Sequence, residues 1–316
     1  MDRSTDDQEK RLTELKKEVL KRGFDRYSSR LKNVSELPIE LQSSAVTVRD
    51  SHETIQTILV FPPQIQRGWH YVPKQALLFT ATGVTHLLAS IWPDKEPQVT
   101  PLKGCDLMYM KVALLLLYGF LEIVAQGESE PVRLGMEFNT VDWYRLSPPL
   151  QCFLEATKVT SDLTLQPADT SSLVTQRAFE ELPLKFSNGL RIYGLLPGEK
   201  LEEFVFQTAT WKRWLYFFQR PVSANTLLSL TSNYMVVIQE ELKVKQGWII
   251  SYIPRNSITG IQNQPCGLWN ELSVRLAQES QSIDYKLKLK SEAVEVWRRQ
   301  WVQHGGVWED LPEQQA

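Results

Sequence analysis

The run Ala76-Leu77-Leu78-Phe79-Thr80-Ala81-Thr82-Gly83-Val84-Thr85-His86-Leu87-Leu88 returns in the second half of the chain as Asn225-Thr226-Leu227-Leu228-Ser229-Leu230-Thr231-Ser232-Asn233-Tyr234-Met235-Val236-Val237-Ile238. Each copy reads as an apolar strand, a short threonine-bearing turn and a second apolar strand. A hairpin repeated at this distance predicts two similar β-rich modules in tandem. No catalytic motif accompanies the echo, so it speaks to architecture before function.

Composition narrows the partners. The chain has 316 residues, room for two ordinary domains. Its formal net charge of -2 supplies no global field for nucleic acid, and none is expected as a partner. Cys105, Cys152 and Cys266 are far apart and form no C-x-x-C pair. They read as small buried residues rather than disulfide or zinc ligands. The N-terminus is polar and shows no secretory signal. The longest apolar run, Val112 to Leu121 between Lys111 and Glu122, is ten residues, whereas a spanning helix needs about 20. These features predict a cytoplasmic protein.

Hydrophobic spacing divides the chain. Residues 1–32 form an N-terminal amphipathic helix, with Leu12, Leu15, Val19, Leu20, Phe24, Tyr27 and Leu31 at helical steps. That helix could pack on the body, pair with another helix, or lie on an acidic membrane. Leu37-Pro38 stops any helix. A first module occupies 33–157, with strands at 53–61, 76–90, 107–125 and 131–138. Its closing helix is capped by Asn139-Thr140 and bent or restarted at Pro148-Pro149. Residues 158–180 are a linker. A second module, 181–306, opens on Leu182-Pro183, which mirrors Leu37-Pro38. It ends in alternating strands at 272–276 and 283–289 and a helix from Ser291 bearing Trp297 and Trp301. Gly305-Gly306 ends that helix, and 307–316 reads as a flexible tail.

The residues at 227–238, then Tyr252-Ile253-Pro254-Arg255-Asn256-Ser257-Ile258-Thr259-Gly260-Ile261, two alternating strands and a closing helix together resemble a bacterial pleckstrin-homology-like domain. The likeness covers about 200–303. The first module matches more loosely, departing at 99–118. The resemblance implies an α+β fold of two curled antiparallel barrels, each closed by a C-terminal helix. Trp143 and Trp297 would be the covering aromatics. It also implies a binding or scaffold role without catalysis.

Candidate sites are few. Nucleotide-binding loops and serine-hydrolase elbows are absent from the sequence. No catalytic residue, cofactor or metal site is expected, and the chain reads as no enzyme. Residues 204–220 place seven aromatics among Lys212, Arg213 and Arg220. Trp211, Lys212, Arg213, Trp214 and Arg220 are the candidate interaction surface for a protein partner, because aromatic and arginine side chains dominate binding hot spots. The same segment could serve a membrane surface. Alternate members could instead be core positions, since Phe204 shares a face with Phe206 and Trp214 with Tyr216. Lys243, Lys245 and Arg255 are weaker candidates for anion contacts, diluted by Glu240 and Glu241. An enzyme of unknown class would require His52, His70 or His86 to converge with Asp106 or Glu122. Nothing in the sequence fixes an oligomeric state.

Overall fold

A computed structural model describes residues 5–21, 28–50, 54–66, 70–92, 94–157, 180, 182–214, 218–242, 247–267, 269–278 and 281–312. The chain is α+β and mainly strand. Its elements fall into two compact units that are not consecutive stretches. Unit 1 holds Met1–Cys105, Leu117–Leu121 and Leu134–Thr157; unit 2 holds Asp106–Leu116, Glu122–Arg133 and Lys158–Ala316.

In unit 1, α1 is Thr5–Lys21, β1 Ser29–Leu31 and α2 Ile39–Asp50. The strands β2 (Thr57–Phe61), β5 (Gln75–Phe79), β6 (Gly83–Leu88) and β7 (Gln98–Lys103) join β1 in an antiparallel sheet ordered β1-β2-β5-β6-β7. A separate ribbon, β3 (Gln64–Gln66) with β4 (His70–Val72), interrupts the sequence between β2 and β5. The predicted helix over 1–32 is shorter than expected, because Ser29–Leu31 pairs with β2 instead. Every residue of β2 and β5 is buried, so this sheet needs cover on both faces. On one face α2 packs Leu41 and Ala45 over Ile58, Val60, Ala76 and Leu78. On the other lies α3 (Trp143–Ala156), with Phe153 edge-on to Phe79.

The expected break in α3 does not occur: Pro148 and Pro149 sit inside a continuous helix. They forfeit two backbone donors, and the buried face of Leu146, Leu150, Phe153 and Leu154 offsets that loss. The Asn139 carboxamide accepts the Val141 N–H at the helix entry, as the sequence suggests. Trp143 is half-buried and stacked on Phe138, so it does not plug the core; Phe153 does.

Unit 2, in its last and longest stretch, contains α4 (Leu184–Gly189), continued by a π turn to Gly194. Its larger sheet runs β9-β8-β16-β15-β14-β11. These are β8 (Leu107–Leu115), the Glu122–Ala125 part of β9 (Tyr118–Ala125), β11 (Leu201–Gln207), β14 (Thr226–Thr231), β15 (Tyr234–Glu240) and β16 (Trp248–Pro254). A second sheet holds β17 (Ile258–Pro265), β18 (Asn270–Gln278), β19 (Gln281–Leu289) and β20 (Trp308–Asp310) in the order β19-β18-β17-β20. Helix α5 (Ser291–Gln303) seats Val294, Trp297 and Trp301 in the core made by both sheets. A ribbon, β12 (Thr210–Trp214) with β13 (Phe218–Ser223), follows β11. Between Leu117 and Thr140 the chain also forms β10 (Val132–Asn139), which, like β9, is divided between the units.

Two expectations are corrected. The sheets are open, not closed barrels. The edge of β16 is taken by β8, in register Trp248↔Leu114 to Tyr252↔Met110, so the sheet extends rather than curling shut. The tail is also more ordered than expected: β20 lies within 307–316 and pairs in parallel with β17. Residues 313–316, and 158–179 of the expected linker, lie outside the described residues.

The order of elements repeats. The series α2, β2, ribbon β3–β4, β5, β6, β7, a 3-10 turn, β8, β9, β10, α3 recurs as α4, β11, ribbon β12–β13, β14, β15, β16, a 3-10 turn, β17, β18, β19, α5. Each series opens at a Leu-Pro pair. Leu37-Pro38 and Leu182-Pro183 start helices instead of preventing them, and the carbonyls of Pro38 and Pro183 accept the Leu41 and Phe186 N–H groups at 2.8 and 2.7 Å. Proline is tolerated there because the first helical N–H groups have no intrahelical acceptor.

Candidate functional site

The aromatic and basic segment forms the β12–β13 ribbon. Its register pairs Trp211 with Pro221, Lys212 with Arg220, Arg213 with Gln219 and Trp214 with Phe218. Trp211 is 52% exposed, and Lys212 is exposed as well. Lys212 and Arg220 are partners in the backbone register. Phe206, by contrast, belongs to the body, with its ring 4.8 Å from that of Phe186. Core and surface thus divide within the segment: 204–206 point to packing and 211–212 to solvent.

The corresponding ribbon in unit 1 is placed differently. The Gln64 side chain on β3 hydrogen-bonds both the carbonyl and the N–H of Glu137, acting like one more rung of a ladder. Helix α1 lies against β3 and β4. No helix makes a comparable contact with β12 or β13 among the described residues.

Of the weaker candidates, Arg255 alone lies among the described residues. Lys243 and Lys245 lie outside the described residues. Arg255, at the start of the 3-10 turn after β16, is neutralised: Nη1 is 2.7 Å from Glu202 Oε2 and donates to the Thr231 carbonyl at 3.2 Å. Glu202 Oε2 is also 3.4 Å from His304 Nδ1.

Among the described residues the other reactive groups gather into no metal-ligand cluster. Cys105 and Cys152 are exposed and Cys266 is half-buried, against the expectation that all three are core residues; Cys105 stands on a 3-10 turn and Cys152 on the outer side of α3. His86 is buried and donates from Nε2 to Gln75 Oε1 at 2.9 Å. His70 is exposed on β4, and His52 lies outside the described residues. Among the described residues no three His, Cys, Asp or Glu side chains gather as metal ligands.

One polar cluster was missed by the sequence reading. In unit 2, Lys111 Nζ is 2.6 Å from Glu122 Oε2, and Lys111 stands opposite Ser251 in the β8–β16 ladder. Tyr285 from β19 donates to Ser251 Oγ at 2.7 Å, and Tyr109 packs edge-on against Tyr285 at 5.4 Å. Burial pushes the Tyr285 phenol up to about 12, against the opposing hydrogen bond to Ser251. Burial, reinforced by the Glu122 charge, raises Tyr109 further still. Both phenols are therefore neutral donors at neutral pH, and the lysine is already paired. The arrangement binds β8, β9, β16 and β19 together rather than activating a nucleophile. Its signal was the pair Lys111 and Glu122 bounding an apolar run, since a charge inside a mostly buried strand calls for a partner.

No protein-family model matches the chain, and no curated protein matches it. No helix among the described residues is long and apolar enough to cross a membrane.

Proposed function

We propose that the chain is a non-enzymatic, cytoplasmic binding or scaffold protein built from two pleckstrin-homology-like modules. Its interaction surface is the β12–β13 ribbon. Support for the modular part comes from the repeated element order, each series a β-meander followed by three strands and a helix. The binding part rests on one contrast. The ribbon β3–β4 carries the amphipathic α1, while its counterpart β12–β13 exposes Trp211 and Lys212 with no helix laid on it among the described residues. The partner that suits this surface is a protein presenting an amphipathic helix with an acidic flank. The helix would cover the exposed Trp211 indole and set its acids against the exposed Lys212.

The test is affinity capture from extracts of the source organism with the full chain and with a Trp211→Ala/Lys212→Glu variant that keeps the circular-dichroism spectrum. The expected outcome is a defined protein captured by the parent and lost from the variant. If every captured protein survives the double substitution, the ribbon is not the surface. Flotation with anionic vesicles separates the membrane alternative: flotation abolished by Trp211→Ala would replace the protein partner with a lipid surface.

A further inference from the structure

We infer that the outer edge of β17, with the adjoining side of α5, is a strand-accepting site for an extended peptide carrying an aromatic residue followed by two acidic ones, and that the chain's own residues 307–311 are its resident occupant. This surface is distinct from the β12–β13 ribbon and does not depend on the reading of that ribbon.

The occupant shows what the site selects. Ile261 donates its N–H to the Val307 carbonyl at 3.0 Å, and Leu311 donates to the Asn263 carbonyl at 2.8 Å. The parallel register sets Trp308 beside Ile261, Glu309 beside Gln262 and Asp310 beside Asn263. Trp308 packs against the core of unit 2. Gln262 Nε2 donates to Glu309 Oε2 at 2.7 Å, Asn263 Nδ2 donates to Asp310 Oδ1 at 3.1 Å, and Arg298 Nη1 of α5 is 3.0 Å from Asp310 Oδ2. The acceptor side therefore offers an apolar seat, then two amide donors, then a guanidinium. Main-chain pairing holds any extended segment, and these side chains choose which one. Asp310 is held below the usual carboxylate range, chiefly by the Trp308 indole N–H that donates to it at 3.0 Å, with Asn263 and Arg298 adding to the effect.

Three observations make the occupant exchangeable. Its register covers only three residues. Its ion pair is 43% exposed on both sides, a setting in which such pairs contribute less than about 1 kcal/mol. It is joined to α5 through Gly305, at φ +78, a conformation that glycine adopts without strain. A short edge element of this kind opens locally without unfolding the sheet. The repeated element order explains why the edge is available. β8 occupies the place of β17 in the first series, and its edge is filled by β16 over five residue pairs. Among the described residues β17 receives there only β20, over three residue pairs, and a thinly covered edge is a template for pairing.

The experiment uses the full chain with Trp308→Ala and Asp310→Ala, which vacates the edge and leaves Gln262, Asn263 and Arg298 in place. The probe is a fluorescein-labelled peptide, Gly-Gly-Val-Trp-Glu-Asp-Leu, read by anisotropy. The vacated chain should bind it at least ~10-fold more tightly than the parent, whose tethered strand competes at high effective concentration. A peptide with both acids replaced by lysine should not bind. A folded vacated chain that ignores the peptide, or binds both peptides alike, overturns the assignment, as does a parent that binds as tightly as the variant. If the double variant fails to fold, Asp310→Lys alone, which keeps the indole, should speed amide exchange at Leu311 by at least ~10-fold; unchanged exchange would count against the site. Concentration-dependent dimers of the parent that disappear in the double variant would give the edge to a second copy of the chain and overturn the partner assignment.

Discussion

Thr80 and Thr231 close their hairpins by the same device. Thr80 Oγ1 accepts the Gly83 N–H at 3.2 Å, and Thr231 Oγ1 accepts the Tyr234 N–H at 3.2 Å. The next residue back in each turn, Thr82 or Asn233, offers its carbonyl to the first N–H of a 3-10 turn, at Gly104 or Arg255. Thr231→Val keeps the shape and removes the acceptor, which should lower stability by about 1 kcal/mol in urea denaturation, with Thr231→Ser recovering most of it. His86 makes a different prediction. Burial holds its imidazole down at about 4, from an ordinary 6.5. Below pH 6.5 the unfolded chain takes up a proton that the folded chain refuses. The stabilisation is therefore complete above pH 6.5 and is lost as the pH falls towards 4, about 2 kcal/mol of it by pH 5 at roughly 1.4 kcal/mol per unit. His86→Gln retains a group facing Gln75 and abolishes the titration, so its urea midpoint should change less between pH 7 and pH 5 than the parent's. An equal acid loss in the variant would assign the effect elsewhere. At this scale the turn threonines were legible because local sequence positions them. The neutralisation of Arg255 was not, because Glu202 reaches it from β11 through the fold.

Elements were legible where burial is one-sided. β19 alternates along Ile283, Tyr285, Leu287 and Leu289, and α5 declares its face through Val294, Trp297 and Trp301. The covering helices were not legible, though their cause was in view. Thr57–Phe61, Gln75–Phe79 and Thr226–Thr231 are buried at every position, which an antiparallel strand with one wet face cannot be. Such runs demand a second cover, and α2 supplies it in unit 1. In unit 2 the π turn after α4 is tied to β16 by the Tyr252 hydroxyl, which donates to the Tyr193 carbonyl. Reading Leu-Pro as a helix stop hid both helices. The two aromatic helices also differ in what they seal. Trp297 is 1% exposed within the core, whereas Trp143 is half-buried. Trp297→Ala should cost about 3–5 kcal/mol by thermal or urea denaturation. Trp143→Ala should cost less than about 2 kcal/mol, since less of its ring leaves water. Equal losses would show that both indoles bear on their cores alike.

At the scale of the molecule, the repeat in sequence and the compact units part company. A tandem read along the chain assigns β8 to the first module, but its residues belong to unit 2, where they extend the sheet from β16. Long-range contacts in unit 2 repeat the point. Ser257 Oγ donates to the Met108 carbonyl at 3.2 Å, and the Gln281 carboxamide both accepts from the Gly127 N–H and donates to the Gly127 carbonyl. Periodicity cannot reveal this, because the residues that meet are far apart in sequence and β8 looks like any buried strand. The consequence is testable by cutting the chain. A fragment of residues 181–316 contains the whole second series of elements, yet it lacks β8, Glu122 and Gly127. It would present the β16 edge with Ser251 and Tyr285 stripped of the strand that covers them. It should be poorly soluble or self-associated by light scattering, because an uncovered apolar edge pairs with its own copies. Supplying residues 106–133, which hold β8, Glu122 and Gly127, ahead of it through a flexible linker should restore a monomeric species with cooperative unfolding. A well-behaved monomer from residues 181–316 alone would mean that the β8 ladder is dispensable and that the second module is complete as read along the chain.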